Sequence, residues 1–399
     1  MLGPGVGRDS SFGLWASFVI RHSSFVISPV SIEIQPYAPG REAAVKAFNQ
    51  RLRDGGNPTF RLPENCVSTW LPPDEGEPLF EEFLLANDGE FVRGGYVLKH
   101  QPYWINGAET SIGYVYSPIS EGTVNPQFGK VGLQVMMHAV KRQPLLYCLG
   151  MGGFHNPLPQ LLKALGWKLC AVPFYFRIVQ APGFLRNIYH LRKHPAGRAL
   201  AAALAATGLG SLGVSLLNAA RTRRPAEPVT VQSVREFSAW ADEVWEQGKV
   251  GFTLAGVRSS AALNRLYPAH KEKFHRLKVS AGGKVAGWAV ALDTQMRGHK
   301  QFGEMRLGSV IDCFAMPGGE FDVVHAAGQF LEARGVDLIV TNQSHQAWGA
   351  AFTRAGFLSG PSNYIFASAP KLSARLAPFE TQQSGFHCTR GDGEGPTHL

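Results

Sequence analysis

Cysteine is sparse and scattered in this chain. Cys66, Cys148, Cys170, Cys313 and Cys388 stand far apart, with no Cys-x-x-Cys pair among them. That spacing argues against zinc sites and disulfide frameworks, so no metal is expected and reduced thiols in a cytoplasm fit best. A dense Lys/Arg ladder interleaved with aromatics is missing, as is a long heptad hairpin that could serve as a tRNA-binding arm, and no nucleic-acid partner is expected. The N-terminal stretch "SFVIRHSSFVI" (17–27) repeats Ser-Phe-Val-Ile, but Arg21 and His22 interrupt it and no Ala-x-Ala site follows, so it lacks the parts of a signal peptide. A short hairpin or a membrane-surface anchor is one reading; an unstructured extension over 1–31 is the expectation. The apolar run 199–220 is long enough to span a bilayer, yet Ala, Gly and Ser dominate it. It reads as a connecting helix inside a linker, 181–228. A membrane-surface role is the lesser alternative.

What is present is globular. Apolar residues make up 45% of 399 residues and charged ones 17%, enough for two or three domains with cores of their own. The net charge of +9 suits an anionic partner without choosing among a phosphorylated cofactor, a nucleic acid and an acidic membrane. The most informative feature is a weak internal repeat. A strand "SIEIQPYAP", a helix over 41–53 and strands at 81–87, 94–105 and 110–119 precede the loop "NPQFGKVG" (125–132). A helix to 142, a strand "PLLYCLG", "HNPLPQLLKALGW" and a closing strand "KLCAVPFYFRIV" follow. The order recurs from "VTVQSV" through the Gly282-Gly283 hairpin, "RLGSVIDCFAMP", "DVVHAAGQFLEARG", "VDLIVTNQS" and "HQAWGAAFTRAGF" to "NYIFASA". Alternating strands and helices give an α/β class with mixed sheets, in two tandem units over 32–180 and 229–370. A tail from 371 to 399, rich in Gly, Ser, Thr and charge, is expected to be disordered.

The loop "NPQFGKVG" opens a helix, and a helix N-terminus offers free N–H groups and a positive dipole end to phosphate. The sequence of elements around it resembles the GNAT superfamily of acyl-CoA-dependent N-acyltransferases. That family carries Q/R-x-x-G-x-G/A at this junction: here Gln127 and Gly132 match, while Lys130 replaces the middle glycine. Asn156 and "LLKALGW" match the family's next Asn and helix, with Leu162 where a tyrosine is usual. The resemblance covers 32–180 and, more loosely, 229–370, in a tandem form similar to Fem-type and exopolysaccharide-associated acyltransferases. It implies two GNAT-like domains, the second degenerate. It also implies acetyl-CoA or another acyl-CoA as co-substrate, held by Gln127, Phe128, Gly129, Lys130, Val131, Gly132 and Asn156, with the pantetheine arm beside Val115 and Tyr116.

The implied reaction moves an acyl group, acetyl by expectation, to an amine-bearing acceptor. Such a transfer needs a base for the amine and a stabilised oxyanion. Glu109, at the start of the fourth strand, is the acidic candidate for the base, against the plain reading of a solvated carboxylate after an Asn-Gly turn. His138 reads as a boundary histidine and His155 as a pocket residue. The alternative function is a catalytically degenerate acyl-CoA-binding or scaffold protein, because Leu162 and Phe352 occupy both positions of the family's acid. The acceptor and the oligomeric state are left open.

Overall fold

The computed structural model describes residues 31–189 and 195–394; the repeat "SFVIRHSSFVI" lies outside them. The first half runs β1 (Glu33–Pro36), α1 (Glu42–Asp54), β2 (Phe80–Asp88), β3 (Phe91–Ile105), β4 (Ala108–Ser120), α2 (Val131–Arg142), β5 (Leu146–Gly150), α3 (Pro157–Ala164), β6 (Lys168–Ala171) and β7 (Phe174–Ile178). Three helices follow: α4 (Ala181–Asn187), α5 (Pro195–Ala206) and α6 (Leu209–Arg221). The second half runs β8 (Val229–Ser233), α7 (Ala239–Gly248), β9 (Leu254–Gly256), α8 (Ser260–Leu266), β10 (His275–Ala281), β11 (Lys284–Gln295) and β12 (Arg306–Ala315). It continues with α9 (Glu320–Ala333), β13 (Leu338–Asn342), α10 (Gln346–Arg354), β14 (Leu358–Gly360) and β15 (Ile365–Ser368). From β4 to β7 and from β12 to β15 the order strand–helix–strand–helix–strand–strand is the same.

The sheets redraw the boundary expected at 180. One has the order β1-β2-β3-β4-β5-β15-β6, the other β14-β7-β13-β12-β11-β10-β8. The last strand of each half therefore lies in the sheet of the other: β15 between β5 and β6, and β7 between β13 and β14. "KLCAVPFYFRIV" reads as one strand in sequence but is two. Pro173 has no N–H to donate, and the break there sends β6 and β7 into different sheets.

Asn106 and Gly107 both take positive φ, 47° and 94°, and close the β3–β4 hairpin as the Asn-Gly pair predicts. The run 199–220 is not one helix: Gly208, at φ 75°, separates α5 from α6. Among the described residues no helix is long and apolar enough to cross a membrane.

The expected disordered tail is ordered as far as residue 394. Helices α11 (Pro370–Arg375) and α12 (Phe379–Gln382) lead to β16 (Phe386–His387), which pairs with β9. Phe386, His387, Cys388, Thr389 and Asp392 are buried. Composition misleads here because the tail's polar groups find partners inside the fold. Asp392 accepts from Arg258 at 2.7 Å, and Arg258 also donates to Asp312 at 2.8 Å, all three side chains being fully shielded from solvent.

Candidate active site

The loop that opens α2 is built on Glu121. This buried carboxylate accepts from Arg51 at 3.0 and 3.1 Å and from Arg93 at 3.1 and 3.2 Å. The Arg93 guanidinium also lies 4.1 Å over the Phe128 ring. Asn125 Oδ1 accepts from the Gln127 amide, and two short 3₁₀ turns carry the chain to Val131. Among the described residues, no acceptor is found for the amides of Lys130, Val131, Gly132 and Leu133. These are the free first-turn donors that an anion would satisfy. Arg51, Arg93 and Lys130 against the two carboxylates Glu121 and Asp88 leave the surroundings positive by one charge.

The glycines divide differently from the sequence expectation. A Cβ on Gly122 would stand 2.6 Å from the Phe128 carbonyl oxygen, so this glycine permits the fold of the loop. Gly132 faces Ser120, whose Oγ lies 3.2 Å from a would-be Cβ, so its smallness serves the packing of helix on strand. Gly129 is exposed and in the ordinary helical region, at φ −57°. Phe128, Val131 and Val115 point into the core under α2, so only their main-chain atoms can meet a ligand. Gln127 and Lys130 are exposed.

Next to this loop the sheet opens. Strands β4 and β5 pair only at Gly113–Leu146 and Tyr114–Tyr147, then diverge. A bulge helps: opposite Gly95 and Val97 the register skips Ser117 and Pro118, with Ser117 at φ 48°. Among the described residues nothing pairs with the main chain of β4 on its β5 side beyond Tyr114, while the Ser117 hydroxyl at the bulge donates to Glu394 of the tail at 3.4 Å. Asn156, beyond β5, donates to the Met151 carbonyl and braces the turn at 150–153; among the described residues its Oδ1 has no donor.

On the sheet face turned away from α2, a polar cluster meets the opening. Tyr116 donates to Glu81 Oε1 at 2.8 Å, and Ser68 donates to Glu81 Oε2 at 2.5 Å. Burial, and to a smaller extent the nearby charge of Glu394, raises the Glu81 pKa above the ordinary carboxylate range, against the pull of these two hydrogen bonds and of Lys99. Lys99 is fully buried, donates to the Asp392 carbonyl at 3.0 Å, and is pushed down to about 8 by desolvation. Tyr116 stacks on Tyr114, and Tyr114 on Tyr147. Glu81 and Lys99 went unnoticed in the sequence. The available signal was a charge at an inward position of a strand, in register with Phe83 and Leu85 for Glu81 and with Val97 and Tyr103 for Lys99.

Glu109 is elsewhere. It sits on the exposed end of the β3–β4 hairpin, 3.9 Å from Lys249 and about half exposed. From there to the loop after Ser120 is roughly 35 Å along the strand. Leu162 and Phe352 are both core residues, so neither position offers an acid. His138 shares a hydrogen bond of 2.9 Å with Tyr96, and His155 is exposed.

The second half has the same opening, already filled. Strands β12 and β13 pair only from Leu307–Leu338 to Ser309–Val340. The tail lies in the gap: His387 Nε2 is 3.0 Å from the Cys313 carbonyl, Thr389 donates to Asp312 at 3.2 Å and bridges to Gln343. Its loop differs in charge: Glu320 and Asp322 stand in the first turn of α9, where a phosphate would meet them.

The strand order, the bulged fourth strand and its divergence from the fifth occur in both halves. The fold is GNAT-like, in tandem form. No family model and no curated protein matches the sequence. Among solved structures, the GNAT-like chain is similar to a probable N-acyltransferase of Enterococcus faecalis, at 8% identity over 87% of this chain and 74% of that one, with a TM-score of 0.49. It is also similar to Saccharomyces cerevisiae N-myristoyltransferase with bound myristoyl-CoA, at 10% identity over 85% and 79%, TM-score 0.48. A tandem GNAT protein from the clavulanic acid biosynthesis pathway aligns at 13% identity over 85% and 98%, TM-score 0.46.

Proposed function

We propose that this chain is an acyltransferase that moves an acyl group from acyl-CoA, acetyl-CoA being the first to test, to an amine. The observation that carries the reading is the contrast between the two halves. The β4–β5 opening keeps an unpaired main-chain edge beside four free amides and a positive loop, with the tail touching it only through side chains such as Ser117 to Glu394, whereas in the β12–β13 opening the tail runs between the strands. A pyrophosphate would take the amides of 130–133 with Lys130 beside them, and the amide groups of pantetheine would pair with the free edge of β4 at 115–117. The side-chain carbonyl of Asn156 would accept a further bond.

Acyl-CoA, when bound, supplies the activated acyl group as a thioester. The new C–N bond would replace the C–S bond, with coenzyme A leaving as a thiolate that solvent protonates, and the protein's part is to take the amine's proton. Tyr116 accepts that proton as its own hydroxyl proton passes to Glu81, so a carboxylate of raised pKa is the final base and the tyrosine leaves the step neutral. Lys99 places a positive charge behind both. The competing reading, a binding protein without turnover, draws on the core residues Leu162 and Phe352 at the family's acid positions. Calorimetric titration with acetyl-CoA, followed by thiol release against a panel of amines, separates the two. Binding with amine-dependent thiol release supports the transferase. Binding alone leaves the scaffold reading, and no binding removes both.

A further inference from the structure

From residue 122 through 226 the chain contains no Asp or Glu, and the last part of that span holds Arg221, Arg223 and Arg224. These three arginines are exposed, and no ion pair forms on them among the described residues. Helix α6 ends at this cluster. Arg354 joins it, because the Arg223 amide bonds to the Arg354 carbonyl at 2.8 Å and Thr222 bridges to Ala355.

Helix α6 turns its apolar side outward. Leu209, Leu212 and Leu216 are 60%, 58% and 63% exposed, and Leu217 is 37% exposed. At 100° per residue the first three lie within about 60° of one another, with Gly213 and Ala220 on the same side. The inward side is narrow: Gly210, Val214 and Asn218 face the molecule. A Cβ on Gly210 would lie 2.7 Å from Leu185, and Asn218 donates to the Ile178 carbonyl at 2.9 Å. Three leucines in register on the solvent side, next to arginines that outnumber the nearby acids Glu227 and Asp322, match the interfacial region of a bilayer. Their apolar groups would enter the acyl boundary while the guanidinium groups remain among phosphates.

We infer that α6, with the arginine cluster at its end, docks the protein on anionic lipid surfaces. The inference does not depend on the acyltransferase reading. The test is co-sedimentation of the full chain with phosphatidylcholine vesicles and with vesicles of phosphatidylcholine and phosphatidylglycerol. Retention is expected to be at least about tenfold greater on the anionic vesicles and to fall with salt. Leu212→Glu with Leu216→Glu should abolish it. Arg221→Gln with Arg223→Gln and Arg224→Gln should reduce it to the level of neutral vesicles. Both sets alter exposed positions, and an unchanged thermal transition checks the fold. Absence of retention, equal retention on both vesicles or retention by the leucine variant overturns the proposal. A dimer in sedimentation velocity that the leucine variant dissociates, without lipid binding, would assign the face to a second copy instead.

Discussion

Glu81 is the residue on which the proposed chemistry turns, and its environment makes a test specific. Glu81→Gln keeps the volume and an acceptor for Tyr116 but cannot take a proton. Amine-dependent thiol release should fall by about 10²–10⁴-fold with acetyl-CoA affinity unchanged. Because burial raises the Glu81 pKa, the acid limb of kcat/KM in the wild type should lie above the ordinary carboxylate range, with activity rising as pH rises. Glu109→Gln, by contrast, should leave turnover unaltered, since that carboxylate is half exposed on a distant hairpin. A second residue-scale effect concerns stability. His387 is fully buried, and desolvation pushes its pKa down to about 4. Below the unfolded value near 6.5 the unfolded chain binds a proton that the folded one refuses, so stability is lost as pH falls toward 4. At pH 5 the loss from this group is about 2 kcal/mol relative to pH 7. Urea midpoints at the two pH values measure it, and His387→Gln should shrink the difference.

At the scale of elements, the loop before α2 depends on Gly122 more than on the glycines of "NPQFGKVG". A side chain at 122 would collide with the main chain at Phe128 and Gly129, which cannot swing aside. Gly122→Val should therefore displace the α2 N-terminus, weakening acetyl-CoA binding at least about tenfold (~1.4 kcal/mol) in calorimetry. Gly132→Ala meets only the Ser120 hydroxyl, which can rotate, and should bind nearly as well. This locates what the sequence pattern missed. Gln127, Gly129 and Gly132 were visible as a motif, but which glycine sits against a carbonyl depends on how the loop folds back, a contact between positions six and seven residues apart.

At the scale of the whole molecule, the exchange of β7 and β15 makes each half incomplete without the other. Residues 31–180 expressed alone lack the strand between β5 and β6 and should remain unfolded by circular dichroism. The full chain should unfold in one transition, with tryptophan fluorescence and far-ultraviolet signals coinciding. The tail is part of the same unit. Ending the chain at Ser384 strands the buried Arg258 without Asp392 and opens the β12–β13 gap. Removing one partner of such a pair alone costs about 3–5 kcal/mol, and the thermal midpoint should drop accordingly.

The sequence by itself determined the order of elements, the Asn106-Gly107 turn, the duplication and the loop that opens α2, because periodicity and turn chemistry act over a few neighbouring residues. Tertiary structure alone decided that the last strands change places, that residues 386–394 enter the core, and that Glu81 rather than Glu109 stands beside Tyr116. Each of these rests on partners distant in the chain. A strand's pattern states which side is buried, not which sheet receives it, and a carboxylate's protonation is set by the groups that fold around it.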